Sequence, residues 1–232
     1  RGSAQYPQLW AGYRNGFDVV DFRLASGVSG TKGLDWPISL TAKDAWTVLA
    51  VVELPQPITT GEDTLLSSFQ SAADQNHLFV NEPLSGEAGF ADSATSRFGC
   101  RTGSGGWGIL VFQMFRQRAN WASSGHGQTL ISWRPFSGDP DDIETADDPA
   151  NYQGAPAWPL DKSFGEAGTL TVQSVLRSLQ GDVAVGCYHD LATRCLDAPL
   201  AELVVFRHPK GSRPLRSYEL RALCNYMGDS WS

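Results

Sequence analysis

The strongest chemical signal in the chain is aromatic. Eight tryptophans are present, and three of them stand among small or polar residues rather than inside apolar runs. Trp107 follows a Gly/Ser stretch that starts at Gly103, Trp121 follows Asn120, and Trp158 lies between Ala157 and Pro159, with Tyr152 close by. The apolar C–H face of a sugar ring stacks on such rings while neighbouring Asn, Asp and Arg take its hydroxyls, so this mix suits a glycan site. His126, between Gly125 and Gly127, is the histidine expected to be most exposed and to join them. Trp46 and Trp231 stand in apolar surroundings and are expected in the core instead.

The acidic residues are the next candidates. Asp139, Asp141, Asp142 and Glu144 crowd one short stretch. Calcium takes about six to eight oxygens, which clustered carboxylates and loop carbonyls supply. The spacing matches no EF-hand loop, and a solvated acidic loop is the competing expectation. No motif requires a cofactor; calcium is the one these residues would take. Glycoside hydrolysis needs two carboxylates fixed across the scissile bond. Asp142, Glu144 and Asp147 have a suggestive spacing, but their Pro, Asp and Ala neighbours form no strand that would hold them on one face.

The remaining chemistry is sparse. His77, His126, His189 and His208 are scattered, and none stands in a motif that links it to a tyrosine for proton transfer. There is no Gly-x-Ser-x-Gly elbow, no His-Glu-x-x-His pair and no phosphate loop. Cys100, Cys187, Cys195 and Cys224 permit three disulfide pairings, and their spacing does not choose among them. Cys187 and Cys195 flank a polar loop that a bridge would staple. Together with His189 they also offer three metal ligands, but without zinc-finger spacing. Cys224 falls on an apolar stripe, where a buried thiol is expected.

Positioning these residues is a task for strands. Apolar, β-branched or aromatic runs are bounded by Gly, Pro, Asn and Asp at Phe17–Leu24, Trp46–Leu54, Thr64–Phe69, His77–Asn81, Ala88–Ala91, Arg97–Arg101, Trp107–Phe115, Thr129–Trp133, Leu170–Val175, Val183–Cys187 and Leu200–Phe206. This regular punctuation predicts an all-β sandwich or barrel. The rest of the first 35 residues reads as irregular. Residues 137–164 read as a long insertion without structure of its own, a kind of segment that is usually either functional or disordered. Leu220, Leu223, Cys224 and Met227 fall at i, i+3, i+4 and i+7 and predict a C-terminal amphipathic helix over Leu215–Trp231.

Bulk properties narrow the class. The 232 residues suit one β-domain spanning 1–232, and the net charge of −7 with 19% charged residues offers no basic face for nucleic acid. No stretch approaches the roughly 20 apolar residues of a membrane-spanning helix, so no membrane insertion is expected. Arg1-Gly-Ser reads as a cleavage scar, and the chain as a module of a longer protein.

Three stretches then resemble a known family. Leu200-Ala-Glu-Leu-Val-Val-Phe, a short basic loop, Leu215-Arg-Ser-Tyr-Glu and the later Leu223, Tyr226 and Trp231 resemble the ending of laminin-G-like domains of the concanavalin A-like lectin/glucanase superfamily. Ala45-Trp-Thr-Val-Leu-Ala-Val-Val-Glu and Asp182-Val-Ala-Val-Gly resemble two of its earlier strands, in the right order. One position departs: Arg216 stands where the family places a serine helix cap. The resemblance implies an antiparallel β-sandwich of the concanavalin A-like jelly-roll type with one short C-terminal helix. The fold hosts many functions. The expected one is a non-catalytic recognition module, glycan-binding or adhesive, in a larger secreted or phage tail or capsid protein. Its partners would be a glycan or cell-surface polysaccharide and other domains or subunits of an assembly at an extracellular, cell or virion surface. A polysaccharide-active lyase or hydrolase with a diverged site is the alternative, and a purely structural virion or fibre decoration a further one.

Overall fold

The computed structural model describes residues 7–23, 33–40, 45–54, 63–71, 74–80, 87–92, 97–101, 106–115, 126–136, 169–175, 179, 182–188, 194–208 and 215–231. They form two antiparallel sheets and one C-terminal helix, an all-β sandwich. The seven-stranded sheet runs β1 (Gln8–Arg14), β2 (Phe17–Asp21), β13 (Pro199–His208), β4 (Ala45–Leu54), β9 (Gly106–Phe115), β10 (His126–Pro135), β11 (Thr169–Val175). The six-stranded sheet runs β3 (Leu34–Trp36), β12 (Asp182–Val185), β5 (Asp63–Ser71), β6 (Asp74–Val80), β7 (Glu87–Asp92), β8 (Arg97–Arg101).

Period-2 alternation places one side of each sheet in a shared core. From β4 come Trp46, Val48, Ala50, Val52 and Leu54; from β9 Leu110, Phe112 and Met114; from the opposite sheet Leu66, Leu78, Val80 and Phe90. The uninterrupted apolar run of β4 has a second cause. Its other face, with Leu49 and Val51, joins Ile109 and Val111 in a second core closed by α1 (Ser217–Trp231). Leu220, Cys224, Met227 and Trp231 carry the helix side of that contact, all at most 6% exposed. Burying each large apolar side chain of this kind contributes roughly 1.5–3 kcal/mol.

The helix is held by polar groups drawn from the whole chain. At its start the Glu219 carboxylate accepts from the Arg216 backbone N–H at 2.7 Å. That is the returning half of a capping box, and it explains how the helix begins without a serine cap. On the covered face of the sheet, Gln113 Nε2 donates to Thr47 Oγ1 and to the Leu215 carbonyl, both at 3.1 Å, and His208 Nε2 lies 3.1 Å from Thr47 Oγ1. The last turn carries no basic residue of its own. Instead Arg14, from β1, gives its Nε to the Trp231 carbonyl, which sets a cation at the negative end of the helix dipole. Trp231 Nε1 donates to Glu202 in β13 at 2.8 Å.

Several sequence expectations change. The supposedly irregular start contains β1 and β3, and β2 ends at Asp21 rather than Leu24. Asn15 and Gly16 both have positive φ, 48° and 79°, and so form the tight type I′ turn that joins hairpin strands without splaying them. Cys187 and Cys195 form a disulfide, which removes both thiolates from any metal set with His189. Cys224 is a buried free thiol.

Candidate functional site

The β1–β2 hairpin does more than extend the sheet. Three strands separate β1 from β9 in the sheet order, yet the Tyr13 ring lies 6.2 Å from that of Trp107 in β9. The hairpin tip therefore curls over the outer face of the seven-stranded sheet beside the end of α1, where Phe17 meets Trp231 at 5.0 Å. Gly12 makes this bend possible: it has φ +62° and lies where the β1–β2 register shifts. Its N–H is taken by Asp18 Oδ1 at 2.9 Å.

The result is a ledge of alternating rings and cations. Arg23 lies over Trp10 at 5.0 Å; Trp10 contacts Tyr13 at 5.0 Å; Tyr13 covers Trp107; Arg14 lies over Trp107 at 5.1 Å and over Phe136 at 5.6 Å. Such ring–cation contacts hold a surface rigid at little entropic cost. Tyr13 is 41% exposed, while Trp107 is 8% exposed and belongs to the second core. Asp21 is 4% exposed and accepts from the Arg23 backbone N–H, Nε and Nη2 at 2.9, 3.0 and 3.3 Å. Burial alone would lower the Arg23 guanidinium, but its bonds to Asp21 and Tyr13 outweigh that and raise it above its ordinary value. Opposite Trp107, on the outer face of β4, stands Glu53.

A second group of side chains lies on the other sheet. The Cys187–Cys195 bridge joins two short stretches that are each bonded to β5, through Ser67 Oγ to the Cys187 carbonyl at 3.0 Å and the Thr64 N–H to the Arg194 carbonyl at 2.9 Å. Tyr188 meets the His77 ring edge-on at 5.2 Å, and Arg194 lies over Tyr188 at 5.1 Å. No histidine–tyrosine motif in the sequence gave a sign of this ring contact. His77 and Tyr188 are far apart in sequence, and the β5–β6 and β5–β12 pairings, with the Thr64–Cys195 β-bridge, bring them together.

The sequence-predicted site residues fare differently. Trp107 begins the run of β9 as a covered floor rather than an open platform, because Tyr13 and Arg14 close over it. His126 opens β10 opposite Val175, in a strand rather than a loop. Trp121, Tyr152, Trp158 and the acidic group Asp139, Asp141, Asp142 and Glu144 lie outside the described residues. Among the described residues no three His, Cys, Asp or Glu side chains cluster as a metal site, and no helix is long and apolar enough to cross a membrane. Sequence reasoning missed Trp10, Tyr13, Asp21 and Arg23. The signal that could have found them is Asn15-Gly16 between two runs of alternating character.

Neither a known protein-family model nor a curated protein matches the chain. Among solved structures, Trypanosoma rangeli sialidase in complex with the inhibitor DANA superposes with a TM-score of 0.49 at 12% identity, over 89% of this chain. The chain spans 27% of that protein's length.

Proposed function

We propose that this chain is a non-catalytic recognition module that holds a glycan on the Trp10–Tyr13 ledge. The observation that carries the reading is the ledge itself: half-exposed aromatic rings, fixed from beneath by Trp107 and edged by Arg23, which the buried Asp21 holds in place, and by the Glu53 carboxylate beside Trp107. A sugar needs that combination, an apolar plane with convergent polar groups at its rim. The pairing of β13 with β4 at the sheet centre and the closing helix support assignment to the laminin-G-like jelly rolls. The Cys187–Cys195 bridge supports an oxidising, extracellular setting. A glycan array combined with a reducing-end release assay tests the function. Binding without product is expected, and Tyr13→Ala should lower affinity by about tenfold or more while leaving the melting transition intact. Binding that survives both Tyr13→Ala and Trp10→Ala would place the site elsewhere.

One observation favours the second reading, a polysaccharide-active enzyme. The imidazole of His77, the phenol of Tyr188 and the guanidinium of Arg194 gather in one place, the group types that proton transfer on an acidic sugar would use. Product release in the same assay, abolished by Tyr188→Phe, would replace the first reading by this one.

A further inference from the structure

The ledge has two cations, and the protein itself uses both. Arg23 spends its backbone N–H and two side-chain nitrogens on Asp21 and lays its flat face on Trp10. Arg14 gives its Nε to the Trp231 carbonyl and is covered by the rings of Trp107 and Phe136. It also sits at a helix end that carries about half a negative charge. With Asp18, Asp21 and Glu53 counted against Arg14 and Arg23, the ledge holds more negative charge than positive, on a chain whose net charge is −7. Nothing there concentrates anions.

What is left unpaired is an acceptor. Glu53 lies directly opposite Trp107 across the β4–β9 ladder, where Cβ atoms are about 5 Å apart. Its Oε2 is buried and has no hydrogen-bond partner. A buried carboxylate oxygen without a donor is unfavourable, and such groups are normally satisfied. Glu53 as a whole is only partly buried. The two oxygens of a carboxylate are equivalent, so a half turn about its last torsion only exchanges them; a change between the staggered rotamers of χ1 or χ2 is what carries the whole carboxylate outward to meet a ligand.

We infer that the ledge selects neutral glycans, with the sugar face on Tyr13 and Trp10 and one of its hydroxyls donating to the Glu53 carboxylate. This rests on the reading of the ledge as a glycan site. The test is calorimetric titration of the full chain with neutral hexasaccharides of glucose, mannose and xylose, against a hexasaccharide of galacturonate. Each is measured at about 50 and about 300 mM salt, which spans strong and weak screening. The neutral ligands should bind with affinities that salt changes by less than about twofold, and Glu53→Gln should weaken them about tenfold with an unchanged melting temperature. If Glu53→Gln does not fold, Glu53→Asp serves, since it withdraws the carboxylate by one methylene. Galacturonate binding that exceeds neutral binding and collapses with salt overturns the neutral specificity, and the ledge reading stands if Tyr13→Ala abolishes that binding. Neutral binding untouched by the Glu53 variants overturns the role of Glu53. Silence across the whole panel removes the ledge reading itself.

Discussion

Replacing Gly186 by alanine should destabilise the protein far more than the loss of one glycine suggests. Gly186 has φ +76°, and a Cβ there would lie 2.1 Å from Phe22 Cε1, 2.3 Å from Cδ1 and 2.8 Å from Cζ. The backbone cannot retreat: its N–H is bonded to the Leu65 carbonyl and its carbonyl accepts from Leu196, both at 2.8 Å. Nor does Phe22 have room, being 1% exposed within the main core. The left-handed backbone costs an alanine about 1–2 kcal/mol, and overpacking a filled core adds about 1–3 kcal/mol. The sum is roughly 2–5 kcal/mol. Gly16→Ala isolates the first part, since Gly16 has φ +79° with nothing within 4 Å of its Cβ. Urea unfolding of both variants under oxidising conditions measures the difference, read as a shift in midpoint at constant slope. Phe22→Leu combined with Gly186→Ala should recover part of the steric loss, a coupling that a double-mutant cycle quantifies. Equal destabilisation by Gly186→Ala and Gly16→Ala, or no coupling to Phe22, would refute the packing argument.

Other outcomes follow from the same contacts. Thr47→Val keeps the volume but takes a bond from Gln113 and His208, at 4% and 9% exposure; urea unfolding should show a loss of about 1–3 kcal/mol, and Thr47→Ser should recover most of it. Burial pushes the Cys224 thiol up from 9.0 to about 12, against a small opposing pull from Arg134. The unfolded chain therefore releases this proton near 9 while the folded chain keeps it, so stability attributable to Cys224 is complete below that pH and falls by about 1.4 kcal/mol per unit above it until the folded thiol ionises. Unfolding curves between those limits should show this slope, and Cys224→Ser should remove it. Cys187→Ser with Cys195→Ser opens a loop of sequence separation 8 and should cost about 2–3 kcal/mol by loop entropy, read as a lower melting temperature together with a loss of the ordered Tyr188 signal in near-UV circular dichroism.

Much of the fold was legible because its signals are local. The run Trp46–Leu54, the run Trp107–Phe115 and the stripe Leu220, Leu223, Cys224 and Met227 each declare their element within a few residues, and each is found where expected. The first hairpin was not, although Asn15-Gly16 marks its turn. β1 has Leu9 at 68% exposure and a register shift at Gly12, so its alternation is broken and no clear apolar face announces it. The ledge escaped for the same reason. Trp10 and Tyr13 looked like part of an irregular arm, while Trp107, expected at an open ligand surface, is the buried floor beneath them.

By itself, then, the sequence determined an all-β chain with a helical end, because strand and helix periods and turn residues act over one or two turns of backbone. Tertiary structure alone decided which distant residues meet: Arg14 with the carbonyl of Trp231, Tyr13 with Trp107, Glu53 with Trp107, and His77 with Tyr188. Each of those meetings depends on strand order and on how a hairpin curls across a sheet. Those are set by the packing of whole faces, and no short window of residues encodes them.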